Sequence, residues 1–170
     1  CFIKSVRDNH GSGKQVVEAF RQLENLIGMI VGDTIIDEYV YCEPMGQSLK
    51  SPIIAHQYLA EERFCGGVIA VANQMARFCK EVHVVSVLGA QNSHEDYICS
   101  KLGSNVTAKF FFRDEAPTVI KRRYVYSDVE RKVFEVCHIN DRQVPKQLEA
   151  QISEYVGQVS PEYDMVAVSD

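Results

Sequence analysis

Two carboxylates, Asp33 and Asp37, stand four residues apart just after the apolar run Gly28-Met29-Ile30-Val31-Gly32. A short apolar run bounded by glycines suits a buried strand, and in parallel α/β sheets ligands bind beyond the carboxyl ends of such strands. A carboxylate there can accept charge-assisted hydrogen bonds from neighbouring sugar hydroxyls. The same residues also suit a plainer role, Asp33 capping a turn and Asp37 solvated in a loop. Spacing alone does not separate the two.

Further along, Gly66-Gly67 precedes a helical pattern. Paired glycines let backbone come close to a ligand, and a helix N-terminus offers unpaired N–H donors, although a bare Gly-Gly is also an ordinary loop. Lys121 and Arg123 lie two apart in a β-rich stretch and therefore project from one strand face. Two cations so placed could hold a phosphate on a substrate, or could simply protect an edge strand with charge.

Other constellations carry no chemistry. Gly11-Ser12-Gly13-Lys14 imitates a P-loop, but that motif needs glycine where Asp8 stands and a hydroxyl where Gln15 stands. A capped helix start, with Ser12 as the cap, explains it better. The six cysteines (1, 42, 65, 79, 99 and 137) contain no C-x-x-C pair, and the five histidines form no H-E-x-x-H pattern. They read as reduced thiols and scattered imidazoles, with His83 packed in an apolar strand, and no metal site follows.

The elements that must position the candidate residues alternate between helical and extended patterns. Apolar spacing predicts helices over Gly13 to Ile27, Gly67 to Phe78, Glu95 to Leu102 and Val144 to Val156. Buried strands are expected at Gly28 to Gly32 and Val82 to Leu88, joined in a βαβ unit, and a further strand at Tyr163 to Ser169. Tyr39 to Tyr41 and Ile53 to Tyr58 read as short strands split by Pro44, Gly46, Ser48, Ser51 and Pro52. Val106 to Phe112, Thr118 to Tyr126 and Val133 to Val136 form a second β-rich group. Parallel α/β units carrying two β-rich insertions predict a doubly wound, mostly parallel sheet with a β-strand lid over its ligand edge.

At 170 residues with 46% hydrophobic content, the chain is large enough for one well-buried core. A net charge of -5 gives no basic field for nucleic acid or an anionic membrane. No apolar run reaches the roughly 20 residues of a membrane span, and the N-terminus lacks a signal-peptide core. A cytoplasmic protein is expected. Because the chain opens at Cys1 and closes at Asp170 directly behind an apolar run, both ends read as cut.

Taken in order, Val31-Gly32-Asp33-Thr34-Ile35-Ile36-Asp37-Glu38-Tyr39, Gly66-Gly67 with Ala70-Val71-Ala72-Asn73, Val84 to Gly89, and Pro117-Thr118-Val119-Ile120-Lys121-Arg122-Arg123 resemble the PfkB, ribokinase-like carbohydrate kinases. The likeness runs from about residue 28 to Asp170 and is nearest to the heptose-phosphate kinase branch and its nucleotidyltransferase-fused relatives. It implies that residues 1–27 are a helical segment preceding the N-terminal half of a kinase domain at 28–170. It also implies that Asp37, with Asp33 beside it, grips sugar hydroxyls, that Gly66 and Gly67 are the family's glycine pair, and that Lys121 and Arg123 are its Lys-x-Arg lid cations. Ser169 and Asp170 match its strand-end Ser-Asp. ATP and Mg²⁺ are the implied cofactors, and the β-lid is an implied homodimer interface.

The chain departs from the family pattern at Ala70, where an asparagine sugar ligand is usual, and at Gly89-Ala90-Gln91-Asn92, where an acidic stretch is usual. The Gly-Ala-Gly-Asp segment with the general base is absent, so that base is expected downstream of Asp170 and the 170 residues alone are expected to be inactive. Two readings follow: part of a carbohydrate kinase acting on a sugar or sugar phosphate, or a kinase-like binding or dimerisation module that has lost its chemistry.

Overall fold

The computed structural model describes residues 13–128 and 131–169. The proposed cap Ser12, most of the P-loop imitation and Asp170 lie outside them. Among the described residues eight strands and four α-helices occur in the order α1 (Gly13–Leu23), β1 (Ile27–Gly32), β2 (Thr34–Gln47), β3 (Ile54–Gly67), α2 (Val68–Met75), β4 (Glu81–Gln91), α3 (Glu95–Ser100), β5 (Val106–Pro117), β6 (Val119–Tyr126), β7 (Arg131–His138), α4 (Lys146–Val159) and β8 (Met165–Ser169), with a 3₁₀ turn (Ser160–Glu162) before β8.

Two four-stranded sheets result. The first, in the order β5-β4-β1-β8, is wholly parallel. Its strands are too apolar to face water, and helices cover both sides. Ile30, Val82, Val84, Leu88 and Phe110 pack with Val68, Ile69 and Ala72 of α2 and Ile98 of α3. On the opposite face His83 and Phe111 meet Tyr155 of α4. β8 lies at one edge, with Val168 82% exposed. No helix among the described residues is long and apolar enough to cross a membrane.

The second sheet is the lid, in the order β3-β2-β6-β7, with β2 and β6 parallel and the outer pairs antiparallel. The doubly wound, mostly parallel sheet with a β-lid is therefore the architecture observed. Two details differ from the sequence reading. The lid strands β2 and β3 are 14 residues each rather than short, because Pro44 and Gly46 sit at a register shift, where a strand tolerates them, instead of ending it. And β5 belongs to the core sheet, since Val106 to Phe112 pairs in parallel with β4.

Helix α1 stops at Leu23, short of Ile27, because Glu24, Asn25 and Leu26 donate to carbonyls three residues back and tighten the last turn. Helix α2 similarly ends at Met75, where the Asn105 side-chain amide donates to the carbonyls of Ala76, Cys79 and Lys80.

Candidate functional site

The carboxyl ends of β1 and β4 open on a cavity of about 300 Å³, lined by Asp33, Thr34, Gly89, Thr118 and Val119, with Asn140 and Arg142 from the segment after β7. Its floor is fixed by buried hydroxyls. Ser86 Oγ donates to the Gly32 carbonyl at 2.7 Å, so the 2.8 Å contact between Thr34 Oγ1 and Ser86 Oγ has Thr34 as donor. Thr118 Oγ1 accepts from the Gly89 amide at 3.0 Å and donates to the Ser93 carbonyl at 2.8 Å. Gly89 has no room for a side chain, since a Cβ would lie 2.1 Å from the Pro117 carbonyl carbon.

Lining the cavity, Val119 is the first residue of β6 and pairs with Ile35 of β2. Lys121 and Arg123 follow on the same face of β6, and Asp37 and Tyr39 on the same face of β2, each step of two residues advancing about 7 Å. A strip of charge thus leads out of the cavity along the lid. The cavity wall itself contains Asp33 but not Asp37, Lys121 or Arg123.

On this strip Arg123 Nη1 donates to Asp37 Oδ1, its guanidinium lies over the Tyr39 ring at 5.5 Å, and Nε is 2.6 Å from Glu135 Oε2 of β7. The Asp37 hydrogen bond, partly offset by desolvation, raises the Arg123 pKa, and the neighbouring carboxylate charges add to the rise. The Glu135 carboxyl is held below its ordinary value by the Cys137 thiol, which donates at 3.1 Å, and by the Arg123 and Lys121 charges. Lys121 makes no ion pair or hydrogen bond with a described residue.

The two glycines are explained at atomic scale. A Cβ on Gly66 would lie 2.3 Å from Asp37 Oδ2, and one on Gly67 would lie 2.2 Å from the Asp33 carbonyl oxygen. Gly67 has φ +55°, a conformation that favours glycine, and the next amide, Val68 N–H, donates to the Asp33 carbonyl at 2.9 Å. The pair therefore seats the segment around Asp33 and Asp37 against the start of α2. Asp33 itself is exposed.

The opposite face of the lid holds an ion-pair group that spacing did not reveal. Glu38, 3% exposed, lies 2.6 Å from Arg63 Nη2 on β3 and 2.6 Å from Arg122 Nε on β6. Burial pushes its pKa up, but the Arg122 hydrogen bond and the Arg63 and Arg122 charges outweigh it and hold the carboxyl below its ordinary value. Tyr97 of α3 donates to the Arg63 carbonyl at 2.7 Å, fastening this face to the core. Glu135 was also missed. Its signal is opposite charge across a strand pair, visible only once register sets it against Arg123.

The architecture is that of solved carbohydrate kinases. A putative phosphofructokinase from Staphylococcus aureus superposes with TM-score 0.60 at 16% identity, over 84% of this chain and 43% of that one. Phosphofructokinase-2 from Escherichia coli, solved with fructose-6-phosphate, gives TM-score 0.58 at 14% identity, over 85% of this chain and 45% of that one. In sequence, the chain is similar to the bifunctional protein HldE of a Nitratiruptor species, 23% identical over 142 residues, which is 84% of this chain and 30% of that protein. The resemblance to the PfkB, ribokinase-like carbohydrate kinases is thus met in fold and in sequence relatives. The chain spans about a third of the length of the HldE proteins it matches. No family model matches it.

Proposed function

We propose that residues 28–170 supply the sugar-binding and lid elements of an ATP-dependent carbohydrate kinase acting on a sugar or sugar phosphate. The observation that carries this reading is the strip of Asp37, Lys121 and Arg123 running out of the cavity at the strand ends. Asp33 and Asp37 accept from sugar hydroxyls, Gly66 and Gly67 hold that segment against α2, and Lys121 and Arg123 meet a phosphate already on the substrate. Residues 1–27 precede the domain.

Phosphoryl transfer draws on ATP with Mg²⁺ in the whole protein. Among the described residues no three His, Cys, Asp or Glu side chains are gathered to hold a metal ion, and no step is assigned to them through one. A cytoplasmic location goes with this reading. So does a homodimer through the lid, supported by the exposed Phe134 and Val136 on the face away from Lys121 and Arg123.

The test is calorimetric titration with fructose 6-phosphate and with fructose. Lys121→Met removes a cation that makes no hydrogen bond or close ion pair with a described residue, so it should weaken the phosphorylated ligand at least about tenfold and leave the plain sugar within about twofold. Arg123→Ala should also cost the phosphorylated ligand more than the plain sugar, with some loss for both because Asp37 loses the guanidinium that aims it. Equal losses for both ligands would leave the cations as surface charge and overturn the assignment.

A further inference from the structure

We propose that Glu135 is an internal competitor for the substrate's anionic group, holding Arg123 until a phosphate displaces it; this rests on the reading of Lys121 and Arg123 as phosphate-binding cations. Arg123 is the more buried partner, with its side chain 16% exposed against 38% for Glu135. The guanidinium is therefore fixed and the carboxylate is the movable member. Arg123 Nε faces Glu135 and Nη1 faces Asp37, which leaves the two Nη2 donors without a bonded partner among the described residues.

On the strip Asp37 and Glu135 offset Lys121 and Arg123, and Glu62, set opposite Tyr39 on β3, adds a further negative charge to the same face. A phosphate approaching it meets no net attraction while Glu135 stays in place. Once the carboxylate swings toward solvent, the strip gains one positive charge and Nε joins Nη2 to form a two-pronged donor set suited to phosphate oxygens. Apart from the Cys137 thiol of its own strand, which donates to Oε1 at 3.1 Å, Glu135 is open to solvent on β7 at the outer edge of the lid, whereas Asp37 is held between β3 and β6 with Gly66 beneath it. The exchange is selective, since an uncharged sugar gains nothing from it.

The experiment titrates inorganic phosphate and fructose 6-phosphate into the full chain and into Glu135→Gln, Glu135→Ala, Glu61→Gln and Glu135→Gln combined with Arg123→Ala. Glu61 is an exposed lid carboxylate that controls for net charge alone. Both Glu135 variants should bind the two anions at least about threefold more tightly, with fructose unchanged, and the double variant should lose the gain. No gain, an equal gain in Glu61→Gln, or a gain that survives in the double variant overturns the proposal. A loss of anion binding in Lys121→Met without any gain in Glu135→Gln sinks this inference only. No effect of either change, or no anion binding at all, sinks the phosphate reading with it.

Discussion

Asp37 and Arg123, 86 residues apart in the chain, form an ion pair across the parallel pairing of β2 with β6. Each is a candidate ligand-binding residue, and each neutralises the other. A free aspartate would have to order itself on a sugar, whereas this one is already aimed by a guanidinium from the next strand. Pre-organisation of that kind lowers the ordering cost of binding.

Asp37→Asn keeps the shape and an acceptor for Arg123 but removes the charge. The pair is partly buried, so about 1 kcal/mol of stability should be lost, a melting point lower by about 2–4 °C for a chain of this size. Sugar affinity should fall about tenfold, because a charge-assisted contact becomes a neutral one. Calorimetric melting and a fructose titration check the two numbers separately. An unchanged affinity with a lowered melting point would make Asp37 a lid ion-pair residue and nothing more.

The two glycines should respond differently to the same methyl group. In Gly67→Ala the new Cβ meets backbone, the Asp33 carbonyl, at a positive φ, so neither partner can yield cheaply. A loss of about 2–4 kcal/mol is expected, adding left-handed strain to overpacking. In Gly66→Ala the Cβ meets the end of the Asp37 side chain, which can rotate away. Stability should then fall by about 1 kcal/mol or less, while Arg123 loses Asp37, keeping Glu135, and sugar binding drops. Denaturant midpoints and ligand titrations on both variants check this, and the reverse ranking of stabilities would refute the argument.

Much of this was legible in the sequence, for identifiable reasons. The βαβ unit and its strands follow from apolar runs that can only be buried, and Gly66-Gly67 was correctly seen as the entry to a helix. Strand pairing was less accessible. That β5 joins the core sheet and not the lid depends on its partner β4, which no local pattern encodes. The lengths of β2 and β3 were obscured by Pro44 and Gly46, which end most strands but here occupy an irregularity. Glu38 alternates like any solvated charge and is buried only because β3 and β6 each bring an arginine to it.

That buried carboxylate gives a third prediction. Glu38→Gln leaves Arg63 and Arg122 without their counter-charge, and both are about a third exposed, so water relieves part of the cost. A destabilisation of about 2 kcal/mol is expected, below the range for a fully buried pair. Because Tyr97 ties Arg63 to α3, the lid strands should also exchange their amide hydrogens faster than the core strands do. Hydrogen exchange confined to the core, or no change in either sheet, would contradict the anchoring role.

The last prediction concerns acid. His83 sits between Thr107 Oγ1 and the Tyr155 hydroxyl, each 2.9 Å from a ring nitrogen, and its ring stacks on Tyr163 at 5.7 Å. Burial pushes its pKa below the ordinary 6.5. The folded protein therefore binds this proton less readily than the unfolded chain, so stability is full above about pH 6.5 and falls as pH drops toward the folded value. Glu38 acts in the same sense at lower pH: its folded pKa lies below 4.5, and its contribution is present above that value and lost beneath it. Denaturation midpoints should accordingly decline in two stages on acidification. His83→Phe keeps a ring against Tyr163 but cannot titrate, so it should flatten the upper stage and leave the lower one, whereas Glu38→Gln should do the opposite. A His83→Phe protein that still lost stability below pH 6.5 as steeply as the parent would assign the upper stage to another group.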